Sequence, residues 1–333
     1  MHLARSILVG APLVLLAAVA SAQPAPQPGE RKPLVPVAKT PVYDESADAK
    51  AQIAAALAAA RRDHTRVLIQ WGGNWCPWCI RLDELMKSDK AVAKAIQYEY
   101  KLVHVDCGRP NGKNMGLAAG YGASGMRGHG FPFLTVLDED GKPIANRETR
   151  TLELDSSKGQ QESLKAGHDP KALLKFLDDH KAPAPDAQAL LDAAVAKAGK
   201  EGKRVFVHYG APWCVWCRRL ETWMARPEVA ALLAKDFVDL RIDTDRYTGG
   251  SALLKKHRKS DGGGIPWFAF LDDKAGAIAD SDGPEGNIGF PATAAEVEHF
   301  AAMLNKVRRN MTESDVKALI DSLKAESDKG RGH

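Results

Sequence analysis

At 333 residues, with 44% apolar and 26% charged side chains, the chain has room for two globular domains of ordinary size. Its 46 basic and 42 acidic residues leave a formal charge of only +4, and no basic run is interleaved with aromatics. Neither nucleic acid nor an acidic membrane surface is therefore an expected partner.

The first residues have their own pattern. Arg5 supplies a positive start, Ile7 to Val19 form a short apolar core, and Ala20-Ser21-Ala22 gives a small-residue cleavage site before Gln23. This layout predicts a secretory signal peptide over residues 1–22, too short and wrongly flanked for a permanent membrane span. No later segment reaches span length, so the expectation is no stable membrane insertion and a periplasmic or secreted product cleaved near Ala22. Residues 23–43 are proline-rich with few large apolar side chains, a composition that predicts a solvated tether.

A repeat follows. Cys76 and Cys79 recur 138 residues later as Cys214 and Cys217. The same offset carries Arg66-Val67 onto Arg204-Val205, Gly72 onto Gly210, Arg81-Leu82 onto Arg219-Leu220 and Met86 onto Met224. A gapless match of this length means duplication of a whole domain. Domains over 44–182 and 186–333 follow, joined at Lys181–Asp186, where prolines stop one helix before the next.

Each unit reads in the same order. An Ala-rich helix (49–62; 187–200) precedes a buried strand, "RVLIQWG" or "RVFVHYG". A Trp-Cys-x-Trp-Cys turn then opens a second helix, with Leu82, Leu85 and Met86 on one face, matched by Leu220, Trp223 and Met224. Another strand ends at Asp106 or Asp243, and Gly-rich stretches lead to "GFPFLTVLDEDGK" and "GIPWFAFLDDKAG", each a strand, a turn and a returning strand. Helices near 170–180 and 294–308 close the units, and Thr312 caps an extra C-terminal helix running to about Lys324. The predicted class is α/β, each domain a central mixed sheet flanked by helices.

Cys-x-x-Cys serves several chemistries. Attached haem needs a following histidine, but Ile80 and Arg218 stand there. A four-thiolate zinc site normally spaces its pairs about 15–20 residues apart, not one domain apart, so no metal ligands are assigned. Cu(I) binding stays open because soft thiolates favour it. A cysteine at a helix start has its thiolate stabilised by unpaired backbone N–H groups and the helix dipole. Cys76 and Cys214 hold that place, and Cys79 and Cys217 lie one turn further in, where they can resolve a mixed disulfide.

The succession of strand, small residue, Trp-Cys-x-x-Cys, helix, strand ending in Asp and strand opened by Pro resembles the thioredoxin superfamily, twice over. "CVWCRRLE" is similar to exported thioredoxin-like proteins and to the soluble reductase domain of membrane thiol reductases. The resemblance implies tandem thioredoxin folds and thiol–disulfide exchange with protein substrates by Cys76, Cys79, Cys214 and Cys217. It implies cis bonds at Phe131-Pro132 and Ile265-Pro266, facing the cysteines and pairing with bound peptide. Trp75, Trp78, Trp213 and Trp216 are expected to form apolar collars for that peptide. Where thioredoxin carries a buried aspartate, this chain has Gln70 and His208; only the histidine titrates near neutrality, so domain 2 is expected to handle proton transfer better.

Neither intervening dipeptide, Pro77-Trp78 or Val215-Trp216, contains the histidine that strong oxidases and isomerases of the superfamily carry there, so the resemblance implies a reductase or electron carrier. No nicotinamide or flavin motif is present, so the expected cofactor is none beyond the redox-active disulfides, with a membrane thiol reductase or oxidase resetting them. A disulfide isomerase, a copper-binding protein and a peptide-binding assembly module are the alternatives. Cys107, the odd thiol, reads as a small buried residue.

Overall fold

The computed structural model describes residues 41–108, 112–126, 130–154, 167–260 and 263–329. The expected signal peptide, residues 23–40 of the expected tether, and parts of the Gly-rich stretches before Pro132 and Pro266 lie outside the described residues.

Domain 1 runs α1 (Ala49–Asp63), β1 (Arg66–Gly72), α2 (Pro77–Ser88), α3 (Lys90–Glu99), β2 (Tyr100–Asp106), α4 (Met115–Gly120), β3 (Phe133–Leu137), β4 (Pro143–Glu148) and α5 (Pro170–His180). Domain 2 repeats this as α6 (Ala187–Glu201), β5 (Arg204–Gly210), α7 (Val215–Met224), α8 (Pro227–Leu233), β6 (Phe237–Asp243), α9 (Gly250–His257), β7 (Trp267–Leu271), β8 (Ala277–Asp280) and α10 (Ala294–Val307), followed by α11 (Glu313–Lys329). Each four-stranded sheet is mixed, in the orders β2-β1-β3-β4 and β6-β5-β7-β8. β1 runs parallel to β2 and antiparallel to β3, and β5 does the same between β6 and β7.

The apolar runs of β1 and β5 follow from this position, because a central strand is covered on both faces. Val67, Ile69 and Trp71 face the layer of α1 and α4, while Leu68 faces that of α2 and α5. In domain 2, Val205, Val207 and Tyr209 face α6, and Phe206 faces a cluster with Phe237, Phe268, Phe270 and Phe300. The repeat extends to the caps. Asp48 and Asp186 each accept backbone N–H groups at the starts of α1 and α6. His64 ends α1 in the left-handed conformation that Gly202 adopts at the end of α6.

Three features differ from the sequence reading. Tyr43, placed there at the end of a free tether, is buried, so domain 1 begins before residue 44. α3 was not foreseen; Asp89 both ends α2 and caps α3, and Val92 fixes the new helix to the core. α11 runs on to Lys329, past the expected end: Val316, Leu319, Ile320 and Leu323 pack into the aromatic core of domain 2, and Arg219 and Arg226 hold Glu326 beyond them.

The domains meet through the end of α3 and the loop after β6. Arg246, 4% exposed, pairs with Glu99 at 2.8 Å and donates to the Ala182 carbonyl in the linker. Tyr98 Oη donates to Asp245, Gln97 to the Pro212 carbonyl and Tyr247 to the Asp63 carbonyl. Arg246→Ala leaves Glu99 without its ion-pair partner at a largely buried site, so a loss of about 3 kcal/mol is expected. Denaturant unfolding checks this; an unchanged midpoint would remove Arg246 as the link between domains.

Candidate active site

Each central strand ends in glycine, a short turn follows, and a helix begins at the first cysteine. Cys76 and Cys214 are extended N-cap residues, and their sulfurs accept from Cys79 N at 3.2 Å and from Cys217 N at 3.0 Å. Both pairs are disulfide-bonded, with Cα atoms 5.3 and 5.2 Å apart. All four cysteines are buried, Cys76 and Cys214 at 4% exposed and Cys79 and Cys217 at 0% and 2%. Phe131-Pro132 and Ile265-Pro266 are both cis, as expected. The Cys214 sulfur lies 3.4 Å from the Ile265 carbonyl oxygen, so this segment borders the domain 2 pair, and Trp75 packs edge-on against Phe131 in domain 1.

The tryptophans do not form two equal collars. Trp213 and Trp216 are 55% and 49% exposed, with Val215 also exposed between them. Trp213 is steered by its Nε1–H bond to Asp245, and Trp216 stacks on Phe290 with Arg219 over both rings. In domain 1, Trp75 is half-buried, and Trp78 is only 8% exposed and packs against His168. An apolar surface suited to a polypeptide therefore stands beside Cys214 and is largely withdrawn beside Cys76.

Gln70 and His208 point to the helix side of their strands but make different contacts. Gln70 is fully buried; its Nε2 donates to Tyr43 Oη at 2.7 Å and to the Cys79 carbonyl at 2.9 Å. His208 Nε2 pairs with Asp239 Oδ1 at 2.9 Å, in a cavity of about 430 Å³ also lined by Glu221 and Arg241. Among the described residues His208 hydrogen-bonds Asp239, not Cys217.

Two carboxylates complete the setting. Asp83 and Glu221 occupy the same repeat position, four residues after the second cysteine and thus on its helix face. Each meets a basic group on the second strand: Asp83 with His104 at 3.2 Å, Glu221 with Arg241 at 2.7 Å. His104 and Arg241 are register partners of Gln70 and His208. A side-chain carbon added at Gly210 would lie 3.1 Å from the Cys217 sulfur and 4.0 Å from Glu221 Oε1, so carboxylate and sulfur border the same glycine. Sequence reading missed Glu221; the signal was an acid recurring at 83 and 221 with a base two residues before each strand-ending aspartate.

Burial raises the Asp83 pKa, but His104 and Lys87 outweigh it and hold the carboxyl below its usual value. Cys107 is buried, as expected, and burial pushes its thiol up to about 12, a value at which it stays protonated.

The thioredoxin-like family matches this sequence twice, over residues 48–139 and 186–273. Among solved structures, a disulphide isomerase from Xylella fastidiosa Temecula1 shares 27% identity, covering 43% of this chain and 98% of that one, with a TM-score of 0.35. A thioredoxin from Thermus thermophilus also shares 27%, covering 29% of this chain and 72% of its own, with a TM-score of 0.24. A DsbH oxidoreductase shares 20%, covering 46% and 92%, with a TM-score of 0.27. No curated protein matches the sequence.

Two outcomes follow from the site's packing. A Cβ at Gly72 would lie 2.6 Å from both the Cys79 sulfur and Tyr43 Oη, whereas at Gly210 the nearest atoms are 3.1 Å away. Gly72→Ala should therefore disturb the first cysteine pair far more than Gly210→Ala disturbs the second, measured as the fraction of each pair that re-forms its disulfide; equal effects would contradict this packing. His168 is buried with neither ring nitrogen partnered among the described residues, and burial pushes its pKa down to about 4. Because the folded value lies below the unfolded 6.5, the unfolded chain takes the proton first. Stability should be full above pH 6.5 and fall by on the order of 3 kcal/mol as pH drops towards 4. His168→Phe should flatten that slope in urea midpoints taken from pH 7 to 4, and an unaltered slope would exclude His168 as its source.

Proposed function

From the premise that the chain belongs to the thioredoxin-like family, we propose that it is an exported thiol–disulfide oxidoreductase whose two cysteine pairs exchange disulfides with protein substrates, working as a reductase or electron carrier. The observation that carries this reading is the placement of Cys76 and Cys214 as helix N-caps, each sulfur accepting a backbone N–H of the first turn. In the dithiol state the same N–H group and the helix dipole favour the thiolate, the nucleophile of exchange.

The reaction then runs in two displacements. The Cys76 or Cys214 thiolate attacks a substrate disulfide; one substrate sulfur leaves, and a mixed disulfide joins enzyme to substrate. Cys79 or Cys217 attacks the enzyme sulfur of that bond, closes the enzyme disulfide and releases the second substrate thiol. Two electrons pass to the substrate, and a membrane thiol reductase resets the pair. No prosthetic group takes part. Domain 2 offers polypeptides the more open surface, since Trp213, Val215 and Trp216 are exposed around its site. Aromatic and aliphatic surface of this kind gains by burial against an extended chain. Backbone groups next to Pro132 and Pro266 hold the bound segment.

The direction of flow is read by equilibrating the mature chain in glutathione buffers and assigning each pair's redox state by mass spectrometry. A potential near thioredoxin's, about −270 mV, is expected for a reductase; a value near about −120 mV would instead mark an oxidase. Pairs that fail to cycle, with copper retained on purification, would overturn the exchange reading altogether.

A further inference from the structure

Tyr43 has no counterpart in the repeat. The residue 138 positions later is Lys181, exposed in the linker, whereas Tyr43 is 1% exposed and packs with Cys76, Trp78 and Cys79. It is brought there by a clamp peculiar to domain 1. Asn74, two residues before Cys76, accepts the N–H groups of both Val42 and Tyr43 at 3.0 Å and donates to the Tyr43 carbonyl at 2.9 Å. At the matching position in domain 2 stands Pro212, whose side chain can make none of these bonds.

The hydroxyl is placed as deliberately as the backbone. Gln70 Nε2 donates to Tyr43 Oη at 2.7 Å, so the phenol oxygen is an acceptor in that bond and its own proton is directed elsewhere. Among the described residues no acceptor for that proton is found. The point that a Cβ on Gly72 would occupy is 2.6 Å from Tyr43 Oη and 2.6 Å from the Cys79 sulfur. The two atoms are therefore at most 5.2 Å apart, within reach of one another after a small rotation of the cysteine side chain.

In the disulfide, the Cys79 sulfur is a poor acceptor. Once substrate is held on Cys76, the same sulfur must become a thiolate to attack, and a charge-assisted bond from a buried donor then stabilises it. We propose that Tyr43 donates that hydrogen bond, acting as a positioning residue that lets Cys79 resolve the mixed disulfide. The step balances without any added reagent. The Cys79–Cys76 bond forms, the bond from Cys76 to the substrate sulfur breaks, and the proton given up by Cys79 ends on the departing thiol. Tyr43 keeps its proton throughout. Burial, against the Gln70 hydrogen bond and with Cys107, Asp83 and Asp106 nearby, holds the phenol well above its ordinary pKa of 10. The titratable groups facing the phenol are Asp83 on α2, His104 and Asp106 on β2, and Cys107 just beyond it. Domain 1 thus adds a neutral donor beside its second cysteine, whereas the residue at the Tyr43 position of the repeat in domain 2 is Lys181, exposed in the linker.

This inference rests on the exchange reading of domain 1, and the test separates the two. The full chain carrying Cys214→Ser and Cys217→Ser is reduced and mixed with glutathione disulfide, and the Cys76–glutathione adduct is followed by acid quench and mass spectrometry. In Tyr43→Phe the adduct should persist about tenfold longer, the ratio given by one hydrogen bond to a charged group at the low end of its range. The pH midpoint of resolution should rise by about one unit, with the first attack by Cys76 unchanged. 3-Fluorotyrosine at position 43, a stronger donor of nearly the same shape, should lower that midpoint. An adduct lifetime within twofold of the Tyr43 parent, with the midpoint unmoved, would overturn the proposal. Should Tyr43→Phe lose its fold, seen as alkylation of Cys107 in native buffer, the fluorotyrosine midpoint decides alone, and no shift counts against the role. A parent that never forms the adduct brings down the exchange reading of domain 1, and this inference with it.

Discussion

Both sites depend on one steric constraint: the second cysteine must pass against the last residue of the central strand. At Gly72 the space a methyl group would fill is taken by the Cys79 sulfur, and at Gly210 that space lies tight against the Cys217 sulfur. That close approach seats the helix start at the end of the sheet, so the first cysteine caps the helix and its sulfur receives the backbone N–H of the second. The carbonyls of the same glycines accept from Cys107 N and Thr244 N, which ties the ends of β2 and β6 to the turn. A side chain at Gly72 would press on the Cys79 sulfur and on Tyr43, while one at Gly210 needs only a small shift of Cys217. The electrostatic preference for a thiolate follows from this close approach, which leaves least room at Gly72.

On this common frame the copies have diverged in polarity. Domain 1 surrounds its buried cysteine with neutral groups, Tyr43 and Gln70, and its Asp83 is engaged by Lys87 and His104. Domain 2 has Glu221 on Arg241 and His208 on Asp239 around one cavity. Burial alone would lower the Arg241 pKa, but the Glu221 and Asp63 charges raise it, so the guanidinium stays charged beneath the helix. Asp63 belongs to α1 of the first domain, so the electrostatic setting of the second pair includes a residue of the first. Trp213, beside Cys214, is held by Asp245, which also accepts from Tyr98 at the end of α3. Domain 1 thus contributes to the surface that domain 2 presents.

The surroundings of the pairs differ in access as well. The withdrawn first site, with Trp78 inside and Tyr43 strapped across the buried sulfur, suits a small or preformed partner, while the open second site suits an extended chain. Two identical domains would compete for the same partners. Under the exchange function proposed above, two that differ in exposure can divide the work of receiving and delivering electrons.

Much of this was legible in the amino-acid order. The 138-residue echo defined two domains, the continuous apolar runs marked strands covered on both faces, and Cys-x-x-Cys after a glycine marked the helix starts; all are local patterns or repeats of them. The cis prolines and the burial of Cys107 were also anticipated. What escaped was decided by contacts between residues far apart in the chain. Tyr43 reads as the end of a tether until Asn74, 31 residues on, binds its backbone. Glu221 reads as a solvated helix acid until Arg241 on the neighbouring strand pairs with it. Trp78 and Trp216 occupy matching positions, yet His168 encloses one ring while the other stays open beside Phe290. Spacing along the chain determines which backbone a residue sits on, because secondary structure has fixed periods. Which group then touches a sulfur depends on how separate elements close over it, and only the folded packing decides that.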